Sequence, residues 1–149
     1  MGATHLARTI RTVPSLELLN IDHNWIGATG SKFLASALAT SGGSLRSLTM
    51  AGNNIGEQGA AAFAQALRSN RALRTLNLYS NHIGTAGAMA FASVLEASAL
   101  AELCLSYNYI DADGESTAAA AFAKAIRHGT GTLKKLDLRW NRALQTFMN

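Results

Sequence analysis

Apolar residues recur along the chain in one fixed phrase: three apolar positions, spaced three and then two apart, followed three residues later by asparagine. It reads Leu16, Leu19, Ile21, Asn24; Leu45, Leu48, Met50, Asn53; Leu73, Leu76, Leu78, Asn81; Leu100, Leu103, Leu105, Asn108; and Leu133, Leu136, Leu138, Asn141. The copies begin 29, 28, 27 and 33 residues apart. Within each copy apolar and polar positions alternate, the period of a strand with one buried face. Leu19 and Ile21 are expected to face inward, Asn20 and Asp22 outward. Identical strands separated by crossovers of this length pair in parallel, and a period of this size predicts a solenoid in which each unit buries its apolar face on its neighbours.

Between the strands the pattern changes to that of a helix. Ile-Gly follows the asparagine at Ile26-Gly27, Ile55-Gly56 and Ile83-Gly84, and a second glycine lies six residues beyond the asparagine at Gly30, Gly59, Gly87 and Gly114. An alanine-rich stretch then carries large apolar residues four apart: Leu34/Leu38, Phe63/Leu67, Phe91/Leu95 and Phe122/Ile126. That spacing stacks both side chains on one helix face. In the fourth unit the pair comes four residues late, which places an insert within residues 115–121 and predicts a helix lengthened by about one turn. Leu6/Ile10 carries the same mark ahead of Leu16, so residues 1–15 read as the end of a preceding helix and its loop. The chain divides as one domain, 1–149: a partial unit 1–15, full units 16–44, 45–72, 73–99 and 100–132, and a partial unit 133–149. Neither end shows the polar cap that solenoids carry, so a segment of a longer repeat protein is expected.

The asparagines Asn24, Asn53, Asn81, Asn108 and Asn141 are expected to be buried at the turn leaving each strand. An amide both donates and accepts, so it can satisfy main-chain groups of its own and the adjacent coil. Asn54 is off register and expected to be exposed.

These residues resemble the leucine-rich repeat family, in its long ribonuclease-inhibitor-like subtype: strand phrase, asparagine, Ile-Gly, second glycine and helical pair recur in order. The departures are Asp111 in place of the glycine, the insert, and Arg142-Ala143-Leu144 in the last unit. The resemblance implies an α/β solenoid, a horseshoe segment with a parallel concave β-sheet and convex α-helices. It also implies a protein-binding role, since the subtype serves in ribonuclease inhibitors, intracellular immune sensors and Ran-type GTPase-activating proteins. A GTPase-activating or immune-sensor repeat region and a purely structural spacer are the alternatives.

The outward strand positions form columns. Their richest stretch is C-terminal: Tyr79, Glu102, Tyr107, Lys135, Asp137, Arg139 and Trp140 are the candidate protein-binding residues, because Tyr, Trp and Arg dominate interface hot spots. Trp25 is expected to pack and Tyr109 to serve a turn.

Composition narrows the rest. Hydrophobic residues are 48% and charged residues 15%, which excludes a disordered chain. The formal net charge is +4, but the cations read as scattered, gathering only at Lys134, Lys135, Arg139 and Arg142, so no nucleic-acid partner is expected. No segment is long and apolar enough for a bilayer. The single Cys104 favours a reducing compartment, here the cytoplasm. His5, His23, His82 and His128 are dispersed, no Cys/His cluster has metal spacing and no phosphate loop is present. A non-enzymatic module without cofactor or metal is therefore expected, its partner a protein.

Overall fold

In a computed structural model of the chain, residues 2–41, 43–129 and 131–141 are described. The expectations placed on Arg142, Ala143 and Leu144 lie outside the described residues. Helix and strand alternate: α1 (Gly2–Thr12), β1 (Leu18–Asn20), α2 (Gly27–Thr40), β2 (Ser47–Thr49), α3 (Gly56–Leu67), β3 (Thr75–Asn77), α4 (Gly84–Ala92), a 3-10 turn (Leu95–Ala97), β4 (Glu102–Cys104), α5 (Thr117–His128) and β5 (Lys135–Asp137). The five strands form one sheet in chain order, every pair parallel. Register sets Leu18, Ser47, Thr75, Glu102 and Lys135 side by side, and likewise Asn20, Thr49, Asn77, Cys104 and Asp137. The chain is thus an α/β repeat solenoid.

The core lies between the sheet and the helix layer. Leu48, Leu76 and Leu103 fill it from the strands, Met50, Leu78 and Leu105 from the strand ends, and Leu34, Phe63, Phe91 and Phe122 from the helices, all essentially inaccessible to water. The outer units are less covered: Leu16, Leu19, Leu133, Leu136 and Leu138 are only partly buried. Successive helices pack side by side, and the second glycine lets them approach. A Cβ on Gly59 would stand 2.4 Å from Ile55 Cγ2 and 2.9 Å from Ser31 Cβ, closer than packed atoms can come.

Three local expectations are corrected. First, Phe91 and Leu95 do not share a helix. α4 ends at Ala92, where Ser93 turns its hydroxyl back onto the Ala90 carbonyl at 2.7 Å and Val94 departs from regular helix geometry at φ −113°, ψ −8°. Leu95 still reaches the core from the 3-10 turn. Second, Ile126 is 55% exposed although Phe122 is buried; among the described residues no helix follows α5 to cover that flank.

Third, the insert does not lengthen the helix. α5 has 12 residues, as α3 has, and residues 110–116 form an irregular turn ahead of it. Asp111 explains the turn. It adopts a left-handed conformation (φ 51°), and its carboxylate accepts hydrogen bonds from Ala118 N–H at 2.8 Å and Ala119 N–H at 2.9 Å. Those are donors that a helix start leaves without partners. Gly114 consequently sits in the turn at φ 83°. The buried Ala118 takes the place four residues before Phe122 that Gly59 holds before Phe63.

Candidate functional site

The open face of the sheet is positioned by the asparagines. Asn108 Oδ1 accepts Asn81 N–H at 2.8 Å and Ile83 N–H at 3.3 Å, while its Nδ2 donates to the carbonyls of Leu78 at 2.8 Å and Ser106 at 3.0 Å. Asn53, Asn81 and Asn141 bond to the adjoining units in the same way. Each amide therefore serves two coils at once. Asn24 departs from this: it is exposed, and its Nδ2 reaches only the Asp22 carbonyl at 2.8 Å. Among the described residues no strand precedes β1 and no earlier coil covers Asn24.

The residues flanking each ladder asparagine take positive φ. Before it stand His23 (57°), Gly52 (64°), Ser80 (53°), Tyr107 (58°) and Trp140 (59°); after it stand Trp25 (53°), Asn54 (54°), His82 (57°) and Tyr109 (60°). Left-handed conformations of bulky residues persist only where surrounding structure enforces them, and in the units of Asn53, Asn81 and Asn108 the buried amide between the two flanking residues does so. The chain is turned outward on both sides of the asparagine, and the flanking side chains are presented to solvent.

On this framework Tyr79, Tyr107 and Trp140 form one row across three units. Ring centroids are 5.1 Å apart for Tyr79–Tyr107 and 6.0 Å for Tyr107–Trp140. The rings are 38%, 45% and 71% exposed. With Arg139, Asp137, Cys104 and Ser106 they line a shallow depression of about 390 Å³. Arg139 is bound to Asp137 through Nε at 2.9 Å and Nη2 at 2.6 Å, and its N–H bonds the same carboxylate at 3.1 Å. The Arg139 guanidinium holds the Asp137 carboxyl well below the usual carboxylate range, with help from Ser106 and against a desolvation effect; the carboxylate in turn holds the guanidinium pKa above its ordinary value. Glu102 and Lys135 pair at 3.9 Å but lie at the opposite end of the strands. Four residues separate Lys135 from Arg139, roughly 13 Å of extended chain. The seven candidates therefore fall into an aromatic–arginine group and a separate ion pair.

Two residues read as structural are surface features. Trp25 is 86% exposed rather than packed. Tyr109, 59% exposed, stacks on His82 at 5.4 Å, and His82 Nδ1 meets Asn54 Oδ1 at 2.8 Å. The exposure of Asn54 is as the register requires. The signal for this second row was its constant place, one residue beyond the ladder asparagine. Among the described residues no three His, Cys, Asp or Glu side chains come together as metal ligands, and no helix is long and apolar enough to cross a membrane.

This is a parallel-strand repeat solenoid with a side-chain amide ladder and an open, partly aromatic sheet face. A family model described as Leucine Rich repeat matches residues 14–35, 44–64 and 69–92, and with the fold above these matches support leucine-rich repeats in those units. Among curated proteins none matches by sequence. Solved structures do. Leiomodin-1 Actin-Binding Site 2 superposes with a TM-score of 0.80 at 23% identity, covering 95% of this chain and 80% of that one. The tropomodulin C-terminal domain of Caenorhabditis elegans superposes with a TM-score of 0.79 at 16% identity, covering 93% and 83%. At these identities the likeness is one of fold.

Proposed function

We propose that the chain is a non-enzymatic protein-interaction module whose partner seats on the concave sheet face at Tyr79, Tyr107, Arg139 and Trp140. The observation that carries this reading is the row of three touching, exposed aromatic rings on a rigid sheet. Rigid aromatics give contact area at little entropic cost, and together with arginine they dominate interface energetics. The repeats are read as the long ribonuclease-inhibitor-like subtype, from their period and their helix in each full unit. The free thiol of Cys104 fits a reducing cytoplasmic setting.

Actin is the first partner to test, because one solved structure of the same fold is that of an actin-binding site in leiomodin-1. Co-sedimentation with actin and affinity capture from lysate would compare wild type with a Tyr107→Ala/Trp140→Ala variant shown by circular dichroism to be folded. Wild type is expected to retain a specific protein that the variant binds about 30-fold more weakly, the worth of one lost hot spot. Equal retention by both would move the contact off this face.

A further inference from the structure

Positions that lie far apart in the chain become a row at the strand-entry margin of the sheet. Main-chain bonds link the residues just before each strand: Arg46 N–H to Glu17 O at 2.7 Å, Arg74 N–H to Arg46 O at 2.8 Å, Ala101 N–H to Arg74 O at 2.8 Å, and Lys134 N–H to Ala101 O at 2.7 Å. Glu17, Arg46, Arg74, Ala101 and Lys134 are thus one column, with roughly 4.8 Å from strand to strand. Arg46, Arg74 and Lys134 are exposed. Among the described residues none of the three lies within ion-pair distance of a carboxylate.

The two arginines are held in place. Arg46 Nη1 donates to the Ala72 carbonyl at 3.1 Å, and Arg74 Nη1 donates to the carbonyls of Arg71 at 2.7 Å and Ala99 at 3.2 Å. A guanidinium has five N–H donors, so each keeps most of its fork for an incoming carboxylate, with the side-chain entropy already lost. Asp22, Asp111, Asp113 and Glu115 stand on the other side, beyond the strand ends, while Glu17 heads the column beside Arg46 and Glu102, just after Ala101, is paired with Lys135. With Lys135 the margin carries four cations against Glu17 and Glu102, and this excess complements a negatively charged partner.

From this placement we infer that the strand-entry margin is a second docking surface, separate from the aromatic row, and that it takes an acidic polypeptide segment laid across the strands over Arg46, Arg74 and Lys134. A polypeptide fits better than a nucleic acid. The aromatic row is five or six residues away along the strand, roughly 16–20 Å, farther than a base reaches from its own phosphate, so a strand laid along the basic margin would leave its bases off the aromatics.

The test is fluorescence anisotropy with a labelled twelve-residue oligoglutamate, an oligoglutamine of equal length and a twelve-nucleotide oligouridylate. Oligoglutamate is expected to bind wild type, oligoglutamine not to bind, and the affinity to fall with salt. Arg46→Glu/Arg74→Glu and, independently, Lys134→Glu are expected to weaken it about tenfold or more. Lys32→Glu/Lys124→Glu, on the helices, and Tyr107→Ala/Trp140→Ala are expected to stay within about twofold of wild type. Lys134→Glu touches no main-chain brace, so it decides the matter if the arginine variant does not fold. Absence of oligoglutamate binding, an equal loss from the helix variant, or a loss confined to the aromatic variant would overturn the inference. Oligouridylate binding as tight as oligoglutamate would overturn it in favour of nucleic acid.

Discussion

Asn108 and Asn24 occupy the same place in their repeats and do different work. Replacing Asn108 with alanine leaves the N–H groups of Asn81 and Ile83 and the Leu78 carbonyl short of partners in a dry interior, while the Ser106 carbonyl keeps the Ser80 N–H. Each orphaned group costs about 1–3 kcal/mol, so Asn108→Ala is expected to destabilise by about 3 kcal/mol or more. Asn24→Ala, at an exposed site, is expected to cost less than about 1 kcal/mol; chemical denaturation of both variants checks the contrast. The periodic asparagines were legible in the sequence, but the exposure of Asn24 was not, since burial depends on a neighbouring coil rather than on the residue. Trp25 misled for a related reason: its size suggests packing, while its backbone, held at positive φ, turns it outward. Asp137 adds a pH dependence. Its folded pKa lies below the ordinary value of 3.8, so the pairing with Arg139 contributes stability that is present above that value and is lost as pH falls towards the folded one. The destabilisation caused by Asp137→Asn is expected to be constant from pH 7 to pH 5 and to shrink once the pH drops below 3.8, as thermal melts across that range would show.

At the scale of elements, strand pairing and helix alternation follow from two periods visible in the chain, and the register agrees residue for residue with the five-fold phrase. What the pattern did not carry is how a helix starts and stops. The four-residue spacing of Phe91 and Leu95 continues through Ser93 and Val94, yet the hydroxyl and the β-branched residue end the helix there. The four extra residues of the fourth unit leave the apolar pattern of α5 unchanged, so the pattern alone cannot say whether they extend the helix or the loop before it. The carboxylate of Asp111 decides in favour of the loop. Asp111→Ala is accordingly expected to cost about 1 kcal/mol. It should also accelerate hydrogen exchange at the Ala118 and Ala119 amides while leaving those of α3 unchanged, a comparison open to NMR.

For the molecule as a whole, the aromatic row was partly legible, because Tyr107 and Trp140 share one register position and Tyr79 stands two residues before its own ladder asparagine. The basic margin was not. Arg46 and Arg74 are 28 residues apart in a sequence whose cations look dispersed, and only parallel register makes them neighbours. The same architecture has a mechanical consequence. Asn53, Asn81, Asn108 and Asn141 each tie one coil to the adjoining one, so a force applied between the two ends loads the repeats in series, and the outermost, least covered unit yields before the next is exposed to tension. Stretching a single molecule is then expected to give successive ruptures rather than one, each releasing a repeat of 27–33 residues, a contour length of roughly 90–110 Å. A single rupture spanning the whole chain would show instead that the ladder welds the repeats into one mechanical unit.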